Sequence, residues 1–173
     1  MLFANMGVPI VCVAVPIMLI ALLPIALVES IVYCRFLRRP FKDAFWGALV
    51  ANLWSTLVGV PFVWLLVLVV QLCIGGGSAW GMETSRQRLE AVTLQAAWLI
   101  PYRDDLPWMI PAASLALLLP FYLASVAVEF AALAARWPTL ARRKIIASVV
   151  VANALSYLGL GCYYGIELWS RLG

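Results

Sequence analysis

Two glutamates, Glu29 and Glu129, stand inside long apolar stretches of the chain. A carboxyl in a hydrocarbon environment is costly, so an acid in such a place calls for a named partner or a function. Glu29 lies six residues before Arg35 and Glu129 seven before Arg136. At helical rise this puts each carboxyl about 9 to 10 Å inside the boundary marked by those arginines. Beyond each basic turn the chain brings an asparagine to comparable depth, Asn52 in the first case and Asn153 in the second, with Ser55 and Ser156 one turn further on. An amide can donate to a carboxylate or accept from a neutral acid. A Glu and an Asn can therefore meet within each hairpin, and the serines can extend the network. Three readings fit: hydrogen-bonded fastening of helices, a titratable path for a proton, a cation or a small solute, or simple interfacial placement, the carboxyl reaching toward water or a neighbouring arginine.

Other chemistry finds little support. The chain has no histidine, so nucleophile-and-base arrangements that use one cannot be built, and the chain is read as non-enzymatic. Cys12, Cys34, Cys73 and Cys162 are scattered without a C-x-x-C pair, and read as inert thiols with no zinc site. Cys73 and Cys162 fall toward the same face, but spacing alone establishes no bridge between them. Asp104-Asp105 reads as a solvated loop, because two adjacent carboxylates lack the further oxygen ligands a divalent cation needs. No metal and no cofactor is expected. The net charge of +4 does not mark a nucleic-acid binder, since the basic residues sit at the ends of apolar spans rather than in a patch.

The elements that must position these residues follow from composition. Of 173 residues 65% are hydrophobic and 12% charged, with a mean hydropathy of +1.01; a soluble domain carries about a quarter charged residues. Four apolar stretches, 9–33, 44–74, 109–135 and 145–169, each approach or exceed the roughly 20 residues that cross a hydrocarbon core. The expected fold is an all-α integral membrane bundle of about four transmembrane helices in a single domain, in contact with the lipid bilayer. The start of the chain lacks a charged n-region and a small-residue cleavage site, so its first apolar stretch is expected to stay. Pro16 is expected to open the first crossing helix, with residues 2–15 partly in the interface, and Pro24 to bend it. Pro40 closes one helix or opens the next, and Pro61 predicts a kink, tilt or projection of the second span.

The connection 75–107 is the one long polar segment. Thr84 with Gln87 matches a capping box, and Leu89, Val92, Ala96 and Leu99 recur on one face, predicting a surface helix over 85–99. Eight of the twelve basic residues occupy two short turns: Arg35, Arg38, Arg39 and Lys42, then Arg136, Arg142, Arg143 and Lys144. The long connection has no basic excess, so the turns are expected in the cytoplasm and both termini outside it. Aromatic residues read as interfacial belts, with Phe41, Phe45, Trp46 and Trp137 beside the turns and Trp80, Trp98, Trp108, Tyr163 and Trp169 at the opposite ends.

Val50-Ala51-Asn52-Leu53-Trp54-Ser55-Thr56-Leu57 aligns with Val151-Ala152-Asn153-Ala154-Leu155-Ser156-Tyr157-Leu158. Leu22-Leu23-Pro24 with Glu29 likewise precedes one basic turn, and Leu118-Leu119-Pro120 with Glu129 the other, so the chain reads as two related hairpins. Such copies share orientation and an axis near the membrane normal. Ala127, Ala131 and Ala135, and the pair Gly161 and Gly165, mark faces for close helix packing, either with each other or with another subunit. The opening Met1-Leu2-Phe3-Ala4-Asn5-Met6-Gly7-Val8-Pro9 and the run 51–61 resemble short polytopic bacterial proteins of unknown function. That resemblance covers mainly the first half and implies no activity, cofactor or site residue; it places the chain in a bacterial inner membrane. The function expected is that of an accessory or assembly subunit, packing with other membrane subunits or as a homo-oligomer. The alternative is a small ion, proton or solute transporter or channel using the Glu/Asn pairs.

Overall fold

The computed structural model describes residues 8–75, 83–84, 87, 98–99 and 108–172. Helix α1 (Ile10–Leu37) leads through a three-residue turn into α2 (Phe41–Trp54), a π-helical segment (Ser55–Gly59) and α3 (Val60–Gly75). Helices α4 (Met109–Arg136) and α5 (Arg142–Leu172) form the second hairpin. The fold is an all-α bundle, and four helical stretches are long and apolar enough to cross a membrane: Met18–Leu37, Phe41–Cys73, Ile110–Arg136 and Arg142–Leu172. Two-residue strands, β1 (Val8–Pro9) and β2 (Trp98–Leu99), pair antiparallel. In hydrocarbon a helix satisfies its own backbone groups, which is why these apolar runs take this form. The helices also carry basic ends such as Arg35 and Arg142–Lys144, so they overrun the apolar limits expected at the turns by a few residues.

The four spans form a ring in which α1 adjoins α2 and α5, and α4 adjoins α5 and the second span; α1 and α4 are diagonal. Leu19, Ile20, Leu65, Leu66, Leu119, Leu123, Leu158 and Ile166 face outward. So large an apolar exterior suits lipid rather than water.

Prolines act differently from expectation. Helix α1 starts at Ile10 and keeps both Pro16 and Pro24 in its interior, so Pro16 does not open it. Each proline withholds one donor from the ladder, and a continuing helix keeps all the remaining backbone bonds that an interrupted one would lose in hydrocarbon. In the second span the irregularity is the π-helical segment itself. It contains Leu57, whose carbonyl the Pro61 ring would strike in an unbroken α-helix. The wider turn accommodates that conflict and hands on to α3, with the Val60 N–H donating to Thr56 O. Pro40 settles as the N-cap of α2.

The two basic turns meet at one end. Asp43 accepts from Arg136 at 2.8 Å and from the Trp137 indole at 3.0 Å. Trp137 is therefore a core residue and not part of an interfacial belt: it is 3% exposed, edge-on to Tyr33 at 6.2 Å and beneath the Arg39 guanidinium at 5.6 Å. Gly47 makes room for it, since a Cβ there would lie 2.8 Å from two ring carbons of Trp137. Phe41 and Trp46 are exposed at that end, and Tyr163 and Trp169 at the other, as belts require.

The small residues that bring helices together are Ala44, Gly47, Ala48 and Ala51 on the buried face of α2. Ala127, Ala131 and Ala135 all face outward, away from the bundle. A Cβ on Gly161 would meet Leu118 only at ordinary contact distance, and one on Gly165 would meet nothing within 4 Å, so these two do not pack against the alanine face within the chain. Cys34, Cys73 and Cys162 are free thiols. Thr84 and Gln87 do form the reciprocal capping box, Gln87 N–H donating to Thr84 Oγ1 at 3.2 Å and Thr84 N–H to Gln87 Oε1 at 2.9 Å. The expected surface helix does not reach Leu99: Trp98–Leu99 form strand β2, where backbone pairing with Val8–Pro9 replaces a last helical turn. Between them, residues 85, 86 and 88–97, like Asp104-Asp105, lie outside the described residues.

Candidate functional site: a crossed carboxyl network above an apolar cavity

Glu29 on α1 and Glu129 on α4 are both fully buried, on diagonal corners of the ring. Each receives a donor from its own hairpin. The Asn52 amide donates to Glu29 Oε2, and the Asn153 amide to Glu129 Oε2 at 2.8 Å. Each asparagine spends its second amide hydrogen on its own helix, Asn52 on Ala48 O at 2.9 Å and Asn153 on Val149 O at 3.1 Å. The serines then cross to the opposite hairpin. Ser55 Oγ lies 3.2 Å from Glu129 Oε1, and Ser156 Oγ lies 3.3 Å from Glu29 Oε1. Both hydroxyls have an alternative acceptor in their own helix, Asn52 O at 3.0 Å for Ser55 and Ala152 O at 3.3 Å for Ser156.

Every one of the six expected residues thus converges on one centre. The within-hairpin Glu–Asn contacts follow from matched depth alone. The serine crossing does not, because it depends on which helices become neighbours. Tyr33, whose hydroxyl reaches Glu129 Oε2 at 3.5 Å, joins the network as a member that sequence reasoning misses. Its only signal in the sequence is its place one turn beyond Glu29. Asp43, the acceptor that ties the turns together, is missed in the same way.

The two halves also match by position. The buried residues Ala44, Gly47, Ala48, Ala51, Asn52 and Ser55 correspond, at a constant offset of 101, to the buried Ile145, Ser148, Val149, Ala152, Asn153 and Ser156. Glu29, Tyr33 and Leu37 likewise pair with Glu129, Leu133 and Trp137 at an offset of 100. Chemistry differs at several of these pairs while burial does not.

A cavity of about 120 Å³ opens inside the ring on the side away from the basic turns. Glu29 and Asn52 close its inner end beside Tyr157 and Ser125, whose hydroxyls are 2.9 Å apart. Its walls are mainly apolar, with Leu22, Ile25, Val63, Trp64, Phe121 and Leu160 among them. Glu129 and Asn153 do not border it, so the two carboxyls, each held by an asparagine and a crossing serine, differ in surroundings. Among the described residues no group of three or more His, Cys, Asp or Glu side chains is placed to hold a metal ion, and no ion pair involves either glutamate.

Fold and site together define a small four-helix bundle of membrane-spanning character with a buried acid–amide–hydroxyl centre. Compared with known families, with characterised proteins and with solved structures, the chain matches none.

Proposed function

We propose that this chain is an accessory or assembly subunit, acting by helix packing in the bilayer and not as an enzyme. In this reading it consists of two related hairpins with their basic turns in the cytoplasm and both termini outside, in a bacterial inner membrane. The constant offset of the buried positions supports the duplication. The observation that carries the subunit reading is the outward alanine face. Ala127, Ala131 and Ala135 recur every fourth residue on α4, and the bundle does not use them, while small residues at this spacing let another helix approach closely. Glu29 and Glu129, by contrast, are committed to inward hydrogen bonds with Asn52, Ser156, Asn153 and Ser55.

A photo-crosslinker at Ala131 in native membranes should trap one defined species, either another subunit or a second copy. Ala131→Phe should release that species from the detergent-purified protein at unchanged thermal stability. Absence of any crosslink from all three alanine positions would remove the basis for the reading.

A second reading, a small ion, proton or solute transporter or channel, is favoured by the cavity that ends at Glu29 and Asn52. Reproducible flux in reconstituted vesicles, lost in Glu29→Gln at unchanged stability, would replace the first reading with the second.

A further inference from the structure

We propose that the cavity is a binding site for a compact organic monocation, an alkyl- or arylammonium about the size of a single substituted ring. The inference goes beyond the subunit reading and does not depend on it.

Size comes first. At about 120 Å³ the space is slightly smaller than an engineered cavity of roughly 150 Å³ that takes benzene. A single ring or short branched chain with one small head fills it, whereas a lipid or a dinucleotide does not. The walls are apolar enough to hold the body of such a ligand.

The inner end supplies the polarity. Asn52 uses both amide hydrogens, on Glu29 and on Ala48 O. Its carbonyl Oδ1 is left as an acceptor, and the residue keeps 8% of its surface exposed while lining the cavity. An incoming N–H donor that reaches that oxygen is one side chain away from the Glu29 carboxyl, which the Asn52 amide nitrogen contacts. No ion pair engages Glu29 among the described residues, and the basic side chains of the hairpin turns stand at the end of the bundle away from the cavity. Once its proton has left, the Glu29 carboxylate supplies the countercharge for one ligand cation. Trp64, Phe121, Tyr157 and Tyr164 line the same space, and aromatic faces attract cations in a desolvated setting. A bare metal ion fits worse, since calcium takes about six to eight oxygen ligands and this space is walled mainly by hydrocarbon.

The test is calorimetric titration of the full chain in lipid nanodiscs with benzylammonium and with benzyl alcohol, which share a shape and differ in charge. Benzylammonium should bind at least tenfold more tightly than the alcohol. Glu29→Gln should bring the two to parity, while Glu129→Gln, changed outside the cavity, should preserve the preference. Ala21→Phe fills the cavity and leaves the network untouched, so it should abolish binding of both even where Glu29→Gln fails to fold. Equal affinities in the parent chain, no binding of either compound, or a preference that survives Ala21→Phe would each overturn the proposal. Loss of the Ala131 crosslink leaves these outcomes unaffected, so the two proposals fail separately.

Discussion

Replacing either buried glutamate by glutamine should be nearly neutral for stability, while replacing either asparagine by alanine should not. The reason lies in the serines. In Glu29→Gln, the amide oxygen can take the place of Oε2 and accept from Asn52, leaving the new NH2 toward Ser156. A hydroxyl can accept as readily as donate, and Ser156 keeps a destination for its own proton in Ala152 O. The same exchange works at Glu129, where the amide oxygen serves Asn153 and Tyr33 and the NH2 faces Ser55, which still donates to Asn52 O. We expect a cost under about 1 kcal/mol for each glutamine, close to the average interhelical hydrogen bond in a membrane. Asn52→Ala removes the one amide donor to Glu29 among the described residues and leaves that carboxyl, among them, with Ser156. An interhelical hydrogen bond worth about 0.6 to 1.7 kcal/mol is lost, and an under-satisfied buried acceptor adds about 1 kcal/mol or more. Asn153→Ala should cost less than Asn52→Ala, because Glu129 retains both Ser55 and Tyr33. Unfolding of the purified variants by steric trapping in bicelles reads these differences directly. Glutamine variants as damaging as the alanine variants would refute the idea that the serines can reverse their roles.

Gly47→Ala should destabilise by about 1 to 3 kcal/mol, the range for overpacking a filled core, because Trp137 is held by Asp43, Tyr33 and Arg39 and has no room to retreat. Gly165→Ala, where a Cβ meets nothing within 4 Å, should be neutral or stabilising by up to about 1 kcal/mol through helix propensity; the same unfolding assay compares them, and equal effects would contradict the Trp137 slot. Single cysteines in a thiol-free background should react with an impermeant reagent from outside near Ser78 and Arg103, and near Arg38 and Arg142 only after permeabilisation. Labelling in the opposite sense would reverse the proposed orientation.

The four spans, the tight turns between paired helices and the depth of Glu29, Asn52, Glu129 and Asn153 are all legible in the order of amino acids. They follow from local quantities: hydropathy summed over a crossing length, a fixed rise per residue, and charges that stop a helix from entering hydrocarbon. The capping box of Thr84 and Gln87 is legible for the same reason, since its partners are three residues apart. Which helix faces which is not a local quantity. The serines reach across to the other hairpin only because α4 lies beside the second span and α5 beside α1. Trp137 has the character of a belt residue, and it is core because Gly47, distant in sequence, leaves a slot and Asp43 offers its indole an acceptor. The alanines of α4 and those of α2 look alike as spacing patterns, yet packing buries one set and turns the other outward. The cavity is likewise a tertiary property: it exists where side chains from all four spans fail to fill the ring, and it distinguishes Glu29 from Glu129, which their sequence surroundings do not.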